Sequence, residues 1–246
     1  MPEAHLEDTP RITPKSLCQR EKGRYCDLYK IRAIDKARCV IVAPEDEHTI
    51  DAMIRSYREG IIEPILIGNK DVIGEILAER YFDSHDITII DETDHAAACQ
   101  TAIDLVNRGQ ADAIMKGLVH TKVFMHAIMK RENQLKTGQL ISMLSIRELP
   151  HYHKLIAFTD AGMDEKRQII ENAVACLTAM GYDTPKVGVL SSVEVVNPKM
   201  KESVEADALK KMNQEGIIKG CIVEGPISYD VAINKEAAEV KGFQSP

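Results

Sequence analysis

Four short segments of this chain carry residue types that can do chemistry. The first is Met115-Lys-Gly-Leu-Val-His-Thr121. Lys116 and His120 can supply positive charge there, after an apolar run that ends at Gly117. Thr121 is placed to cap a helix, and free N–H groups at a helix start bind phosphate. The glycine spacing matches neither the P-loop nor the dinucleotide pattern, so a plain strand–turn–helix fits equally. The second is Leu135-Lys-Thr-Gly-Gln-Leu-Ile-Ser142. It sets Lys136, Thr137 and Ser142 around a glycine, either a small cluster for phosphate oxygens or a turn with a solvated lysine. The third, Phe158-Thr-Asp-Ala-Gly-Met163, puts Asp160 directly after an apolar run. A carboxylate there can act as a base or ligand anchor, or as the N-cap of the next helix. The fourth joins Leu190-Ser-Ser-Val-Glu-Val-Val-Asn-Pro198 to Val223-Glu-Gly-Pro226. These place Glu194, Asn197 and Glu224 at the ends of apolar runs, where turn chemistry and capping compete with function. His151 and His153 form a His-x-His pair without a third ligand and read as a solvated loop. His5, His48, His85 and His95 read as surface residues.

The elements that must position these groups alternate. Short apolar runs at 37–43, 63–68, 86–90 and 111–115 read as strands, and segments of helical period at 45–59, 71–79, 95–108 and 121–130 lie between and after them. The pattern continues with strands at 140–147, 155–159, 186–190 and 220–223, and helices at 165–180, 204–213 and 230–239. Gly60, Gly109, Gly181 and Gly216 stand where helices should stop. Strand–helix alternation with short connections predicts an α/β protein, parallel sheets covered by helices. Residues 1–36 are polar and proline-bearing, with a short helix expected near 17–34. A domain boundary is expected near Pro150. In open α/β sheets, ligands bind beyond the carboxyl ends of the strands, and the four segments fall there.

The net charge of −7 argues against general binding to nucleic acid or anionic membranes, though a local anion site needs only a few N–H groups and one or two cations. Trp is absent and aromatics are 4%, which removes base-stacking platforms. Six cysteines are scattered without a CxxC pair, so zinc and disulfide frameworks are poorly supported. Cys39, Cys176 and Cys221 sit in apolar runs and read as small hydrophobes. With no signal-like or membrane-spanning run, the expected compartment is the cytoplasm.

Read in order, the segments resemble the phosphate acetyltransferase/phosphate butyryltransferase family, and most its butyryltransferase branch. The matching pieces are Ala111-Asp-Ala-Ile-Met-Lys-Gly-Leu-Val-His-Thr121, Lys136-Thr-Gly138 with Ser142, Thr159-Asp-Ala161, Ile169-Ile-Glu-Asn-Ala-Val174, Pro185-Lys-Val-Gly-Val-Leu-Ser191, Val193-Glu-Val-Val-Asn-Pro198 and Ile218-Lys-Gly-Cys-Ile-Val-Glu-Gly-Pro226. The resemblance is dense from Ala111 onward and looser over 36–110. It implies two α/β/α domains with parallel-rich sheets and an interdomain cleft, similar to isocitrate and isopropylmalate dehydrogenases. An N-terminal extension is expected at 1–35, a first domain at 36–149 and a second at 150–246. Relatives run on into another strand and a closing helix, so the second domain is expected to be incomplete at its C-terminal end.

The resemblance also implies an activity: transfer of a short acyl group between coenzyme A and phosphate, with both as substrates and no resident cofactor or metal. On this reading Asp160 is the base and Ser142 an oxyanion donor. Lys116, Gly117, His120, Thr121, His126, Lys136 and Thr137 would hold phosphate or CoA, and Glu194, Asn197 and Glu224 would line the cleft. A homodimer or higher oligomer is implied. Three departures stand out: His126 replaces an Arg or Lys, Asp164 replaces an amide, and Glu224 replaces an Asp. They keep open a second reading, an impaired relative that binds CoA, phosphate or a partner subunit. An NAD- and metal-dependent dehydrogenase on the same fold would need clustered carboxylates that the sequence does not offer.

Overall fold

The alternation read from the sequence is present in the computed structural model, which describes residues 35–149, 152, 154–160 and 165–244. The expected helix at 17–34, the His151/His153 pair and residues 161–164, Asp164 included, lie outside the described residues. The chain divides into two compact units between Thr137 and Gly138.

The first unit is built on β1 (Ala37–Val42), β2 (Ile62–Gly68), β3 (Thr88–Asp91) and β4 (Ala113–Lys116). They form one parallel sheet in the order β3-β2-β1-β4. Helices α1 (Glu47–Arg58), α2 (Lys70–Glu79), α3 (His95–Asn107) and α4 (Thr121–Met129) cover it. β1 is apolar at successive positions because both of its faces are buried. Val40 and Val42 pack with Ala98, Ala102, Ile103 and Ala127 of α3 and α4. Cys39 and Ile41 pack with Ile50, Met53, Ile73 and Leu77 of α1 and α2. The period-two alternation of β1 thus sorts its side chains between two helical layers.

At the amino ends of β1 and β4, Arg38 holds Asp112. Its main-chain N–H and Nε donate to Asp112 Oδ2 at 2.9 and 3.0 Å, and Nη2 donates to Oδ1 at 2.7 Å. At the carboxyl ends the backbones continue to pair, Gly117 N–H donating to Val42 O at 2.8 Å and Leu118 N–H to Ala43 O at 2.7 Å. A Cβ on Gly117 would stand 2.2 Å from Ala43 O, so only glycine fits there.

The second unit holds one antiparallel and one parallel strand pair. β5 (Leu144–Glu148) and β6 (Leu155–Thr159) are antiparallel, with Leu144 opposite Thr159 and Glu148 opposite Leu155. This pairing assigns 144–148 to the second unit and moves the division ahead of the boundary read at Pro150. A parallel pair follows, β7 (Lys186–Leu190) with β8 (Ile222–Ile227). Helices α5 (Lys166–Ala179), α6 (Lys201–Gln214), α7 (Tyr229–Ile233) and α8 (Lys235–Val240) complete the unit. Its core joins Ile170 and Val174 of α5, Leu209 of α6, Ile218, Cys221 and Val223. β8 runs past the expected end at 223 and takes in Glu224, Gly225 and Pro226. Here a Cβ on Gly225 would lie 3.0 Å from both the side chain and the carbonyl of Val189. The helix expected at 230–239 is broken at Asn234, whose side chain caps α8. Cys39, Cys99 and Cys221 are buried, and burial pushes their thiols up. Cys176, read as a small hydrophobe in an apolar run, is exposed. No helix among the described residues is long and apolar enough to cross a membrane.

Gly117→Ala should destabilise the protein by about 3 kcal/mol, because the clashing atom is backbone and cannot swing away. Gly74→Ala, in α2 with nothing within 4 Å of the added atom, should be neutral or stabilising. Urea midpoints of the two variants would test this.

Donation from Arg38 holds the Asp112 carboxyl down at about 2, against an ordinary 3.8. A carboxyl with a lowered folded pKa contributes stability above its unfolded value and loses it as pH falls through the folded one. Stability should therefore fall more steeply between pH 3.8 and about 2 in the native protein than in Asp112→Asn, read by acid titration of unfolding.

Candidate active site

Among the described residues of the first unit, three of the four α-helices start behind an Asx cap. Asp46 accepts from Thr49 N–H, Asn69 from Asp71 and Val72 N–H, and Asp94 from Ala97 N–H. α4 is different. The N-cap is His120, in extended backbone and without a side-chain cap bond, and Thr121 is the first helical residue. Thr121 therefore does not cap the helix as the sequence predicted. His120 is the last residue outside the helix, and its carbonyl accepts from Phe124 N–H. The first-turn N–H groups of α4 are left without a side-chain acceptor among the described residues, as an anion-binding helix start requires.

Lys116 Nζ folds back over the same loop, donating to Gly117 O at 3.1 Å and Val119 O at 3.0 Å. Val119 is buried and anchors the loop in the core between the exposed His120 and Leu118. His126, Lys136 and Thr137 are exposed.

A hollow of about 280 Å³ opens in this unit among Glu45, Asn69, Val72, Thr93, His95 and Leu118. Glu45 Oε1 accepts from Asn69 N–H at 2.8 Å, while its Oε2 is buried without a partner among the described residues. A larger hollow of about 430 Å³ lies beside α1, where Arg80 is ion-paired to Asp51 and Glu47. It holds none of the strand-end residues. Glu45, Asn69 and Thr93 were not singled out from the sequence, and His95, read as a surface residue, is half-buried at the start of α3. Their positions just after β1, β2 and β3 were the available signal.

In the second unit the antiparallel pairing sets Asp160 and Ser142 close in the structure. Thr159 Oγ1 donates to Met143 O at 2.6 Å, and Met143 N–H donates to Asp160 Oδ2 at 2.6 Å. Both main-chain groups of Met143 are held, and Ser142 is the residue before it. α5 begins at Lys166 behind Glu165, so Asp160 does not cap it. The strand expected over 140–147 starts only at Leu144, because the residues before it bond to α5 instead. Leu140 N–H donates to Gln168 Oε1 at 3.2 Å, and Asn172 Nδ2 donates to Leu140 O at 2.9 Å and to Ser142 Oγ at 3.0 Å. Gln168 and Asn172 were not singled out from the sequence. Their spacing of four residues on one helical face was the signal that could have found them.

The other three predicted site residues are built into the scaffold. Glu194 Oε1 accepts from Lys241 Nζ at 2.7 Å and from the Ser228 hydroxyl. Lys241, then Ser228, holds its carboxyl below the usual range, and Lys241 is raised in return, by Glu194 first and Asp230 next. Asn197 Oδ1 accepts from Lys199 N–H at 3.0 Å, and its N–H donates to Ser203 Oγ at 2.9 Å, which fixes the turn into α6. Glu224 is buried in β8 and accepts from Lys210 Nζ of α6 at 2.6 Å and from Gly225 N–H at 3.0 Å.

Residues 92–246 match the family model described as phosphate acetyl/butaryl transferase. The chain is 38% identical over 215 residues to a phosphate acetyltransferase of Thermotoga maritima, covering 85% of this chain and 73% of the relative. It is 34% identical over 221 residues to a phosphate butyryltransferase of Clostridium acetobutylicum, covering 87% and 73%. Among solved structures, it superposes on a branched-chain phosphotransacylase from Enterococcus faecalis with a TM-score of 0.71 at 26% identity, over 85% of this chain and 75% of that one.

The Lys210–Glu224 pair makes a structural prediction. Lys210→Met would leave a buried carboxylate with only one main-chain donor, at a cost of about 2 kcal/mol, moderated because Lys210 is itself partly exposed. Adding Glu224→Gln should recover part of that loss. Chemical denaturation of the single and double variants measures both effects.

Proposed function

The chain belongs to the phosphate acetyl/butaryl transferase family and is a phosphate acyltransferase, and from that premise we propose that it moves a short acyl group between coenzyme A and inorganic phosphate by direct attack of the CoA thiolate. In the direction of acyl-CoA formation, the thiol proton passes to the Asp160 carboxylate. The sulfur then bonds to the acyl-phosphate carbonyl carbon, and the bond from that carbon to the phosphate oxygen breaks as phosphate leaves. Negative charge builds on the carbonyl oxygen in between, and the Ser142 hydroxyl donates to it. The reverse reaction runs through the same groups.

The observation that carries this assignment is the shared clamp on Met143. Asp160 uses Oδ2 to hold the N–H of the residue that follows Ser142, so base and donor are fixed by one short stretch of backbone. Among the described residues no cation neutralises Asp160, in contrast to Glu194 and Glu224. A general base needs that open oxygen.

The first unit supplies a second set of groups to this reading. The uncapped start of α4 offers N–H donors to phosphate oxygens, with Lys116 adding charge and His120 a further polar contact. Gly117 keeps the loop against β1, Thr121 contributes the first of the open N–H groups, and His126, Lys136 and Thr137 remain candidate contacts for phosphate or the CoA phosphates. Glu194, Asn197 and Glu224 act as struts, and their effect on the reaction is indirect.

The test is thiol release from acetyl-, propionyl- and butyryl-CoA with and without phosphate. Release should require phosphate, and the fastest of the three substrates identifies the acyl class. Asp160→Asn preserves shape and an acceptor for Met143 N–H, so the protein should fold while kcat falls by about 10²–10⁴. A variant within a few fold of the native rate would place the base elsewhere.

A further inference from the structure

The hollow of about 280 Å³ in the first unit opens where the sheet changes direction. The order β3-β2-β1-β4 runs one way from β1 to β3 and then returns to the other side of β1 for β4. Glu45 follows β1 and Leu118 follows β4, so the hollow lies at the topological switch point, where ligands of open α/β sheets bind. The Glu45 carboxylate is set there by its surroundings. Its Oε1 accepts from Asn69 N–H at 2.8 Å, and a Cβ on Gly68 would strike that oxygen, so β2 ends in glycine where the carboxylate crosses it. The other oxygen, Oε2, is buried with no partner among the described residues.

A tie between two loops does not need a carboxylate. Glutamine would accept from Asn69 N–H equally and leave no acceptor-only oxygen stripped of water. An unpaired buried oxygen destabilises the protein unless a ligand donates to it. Asp46 Oδ2 is also unpartnered, but Asp46 caps α1, whose dipole favours a negative charge, and it does not line the hollow. Beside Glu45, Asn69 gives Oδ1 to the N–H groups of Asp71 and Val72 at 3.1 and 3.2 Å, and its Nδ2 has no acceptor among the described residues. The hollow therefore offers one acceptor and one donor, the complement of an amide, with Val72 and Leu118 as apolar walls.

We infer that this hollow binds the pantetheine arm of coenzyme A: Glu45 Oε2 accepts from an amide N–H of the arm, and Asn69 Nδ2 donates to an amide carbonyl. The arm is uncharged and alternates amides with methylene groups, which suits a carboxylate among apolar side chains. The phosphates at the nucleotide end would be repelled. Leu118 also belongs to the loop that leads into α4, so the arm lies beside the N–H groups read as the phosphate site. The thiol end belongs there, since the thiol reacts with an acyl phosphate. The inference rests on coenzyme A as the substrate proposed above.

Glu45→Gln and Asn69→Asp test this. Each is assayed with phosphate and the fastest of acetyl-, propionyl- and butyryl-CoA, and with the matching S-acyl pantetheine, which lacks the nucleotide. Glu45→Gln keeps the tie to Asn69 and removes the unpaired acceptor. Its urea midpoint should equal or exceed the native one, while kcat/KM falls about tenfold for both thioesters, through KM rather than kcat. Asn69→Asp keeps the cap of α2 and turns the donor into an acceptor, and the same fall is expected. KM for phosphate should stay within about twofold of native in both. Unchanged kinetics in Glu45→Gln means that water alone meets Oε2, and overturns the inference. A loss seen with acyl-CoA and absent with the acyl pantetheine puts the nucleotide end in the hollow and overturns it as well. If Glu45→Gln fails to fold, Asn69→Asp is judged by the same kinetic criteria. If the native protein turns over no thioester, calorimetric titration with coenzyme A separates the two readings. Binding that Glu45→Gln weakens about tenfold upholds the hollow as the site and overturns the proposed reaction, whereas no native binding overturns both.

Discussion

In the second unit, Asp160 and the segment carrying Ser142 meet at one backbone residue. Met143 gives its carbonyl to Thr159 Oγ1 and its N–H to Asp160 Oδ2. This continues the antiparallel ladder of β5 and β6 by side-chain bonds after the strands themselves have ended. Antiparallel pairing is what makes it possible, because the carboxyl end of one strand then lies beside the amino end of the other. Were β5 and β6 parallel, Asp160 would sit near the far end of β5, about 20 Å from Ser142 at the usual strand rise. The antiparallel pairing is therefore what brings the Asp160 carboxylate to the residue that follows Ser142.

The first unit meets a different constraint. In a parallel sheet, loops leave the carboxyl ends of neighbouring strands side by side, and here the loops after β1 and β4 remain bonded to each other. Gly117 permits this, since any side chain would strike Ala43 O. The loop is thus held close against the sheet until Val119 enters the core and α4 begins. A chain with net charge −7 gains little attraction for anions from its overall field. The donors of an uncapped helix and a lysine bent over its own loop act locally, and that suits them to phosphate chemistry on an acidic protein.

Much of the frame was legible in the sequence, because burial on both faces makes β1 a continuous apolar run and because α1 and α3 end at the glycines that follow them. The places where reading failed share one cause: the competing partner was remote. Residues 140–143 look like a strand by composition, yet their bonds go to Gln168, Asn172, Thr159 and Asp160, which no local period reports. Thr121 looks like a cap by type, but the cap position is decided by where the backbone turns, and it turns at His120. Cys176 lies in an apolar stretch of α5 but on the face away from the core. Asn172 stood inside a recognisable segment without any sign that its partner was a loop thirty residues earlier.

The carboxylates of the second unit sort by partner. Glu194 is matched by Lys241 and Ser228, Glu205 by Lys166, and Glu224 by Lys210. Each of these pairs ties a helix to another part of the unit, and each neutralises the charge that a base would need. Asp160 is held by a main-chain N–H, which orients one oxygen without supplying a compensating cation. Ser142 is held in the same way, its hydroxyl oxygen accepting from the Asn172 amide. Orientation by neutral donors keeps both groups chemically available while fixing where they point. Among the predicted residues of this unit, that distinction between neutralised and oriented but uncompensated groups is what favours Asp160 and Ser142 as the proposed reacting pair.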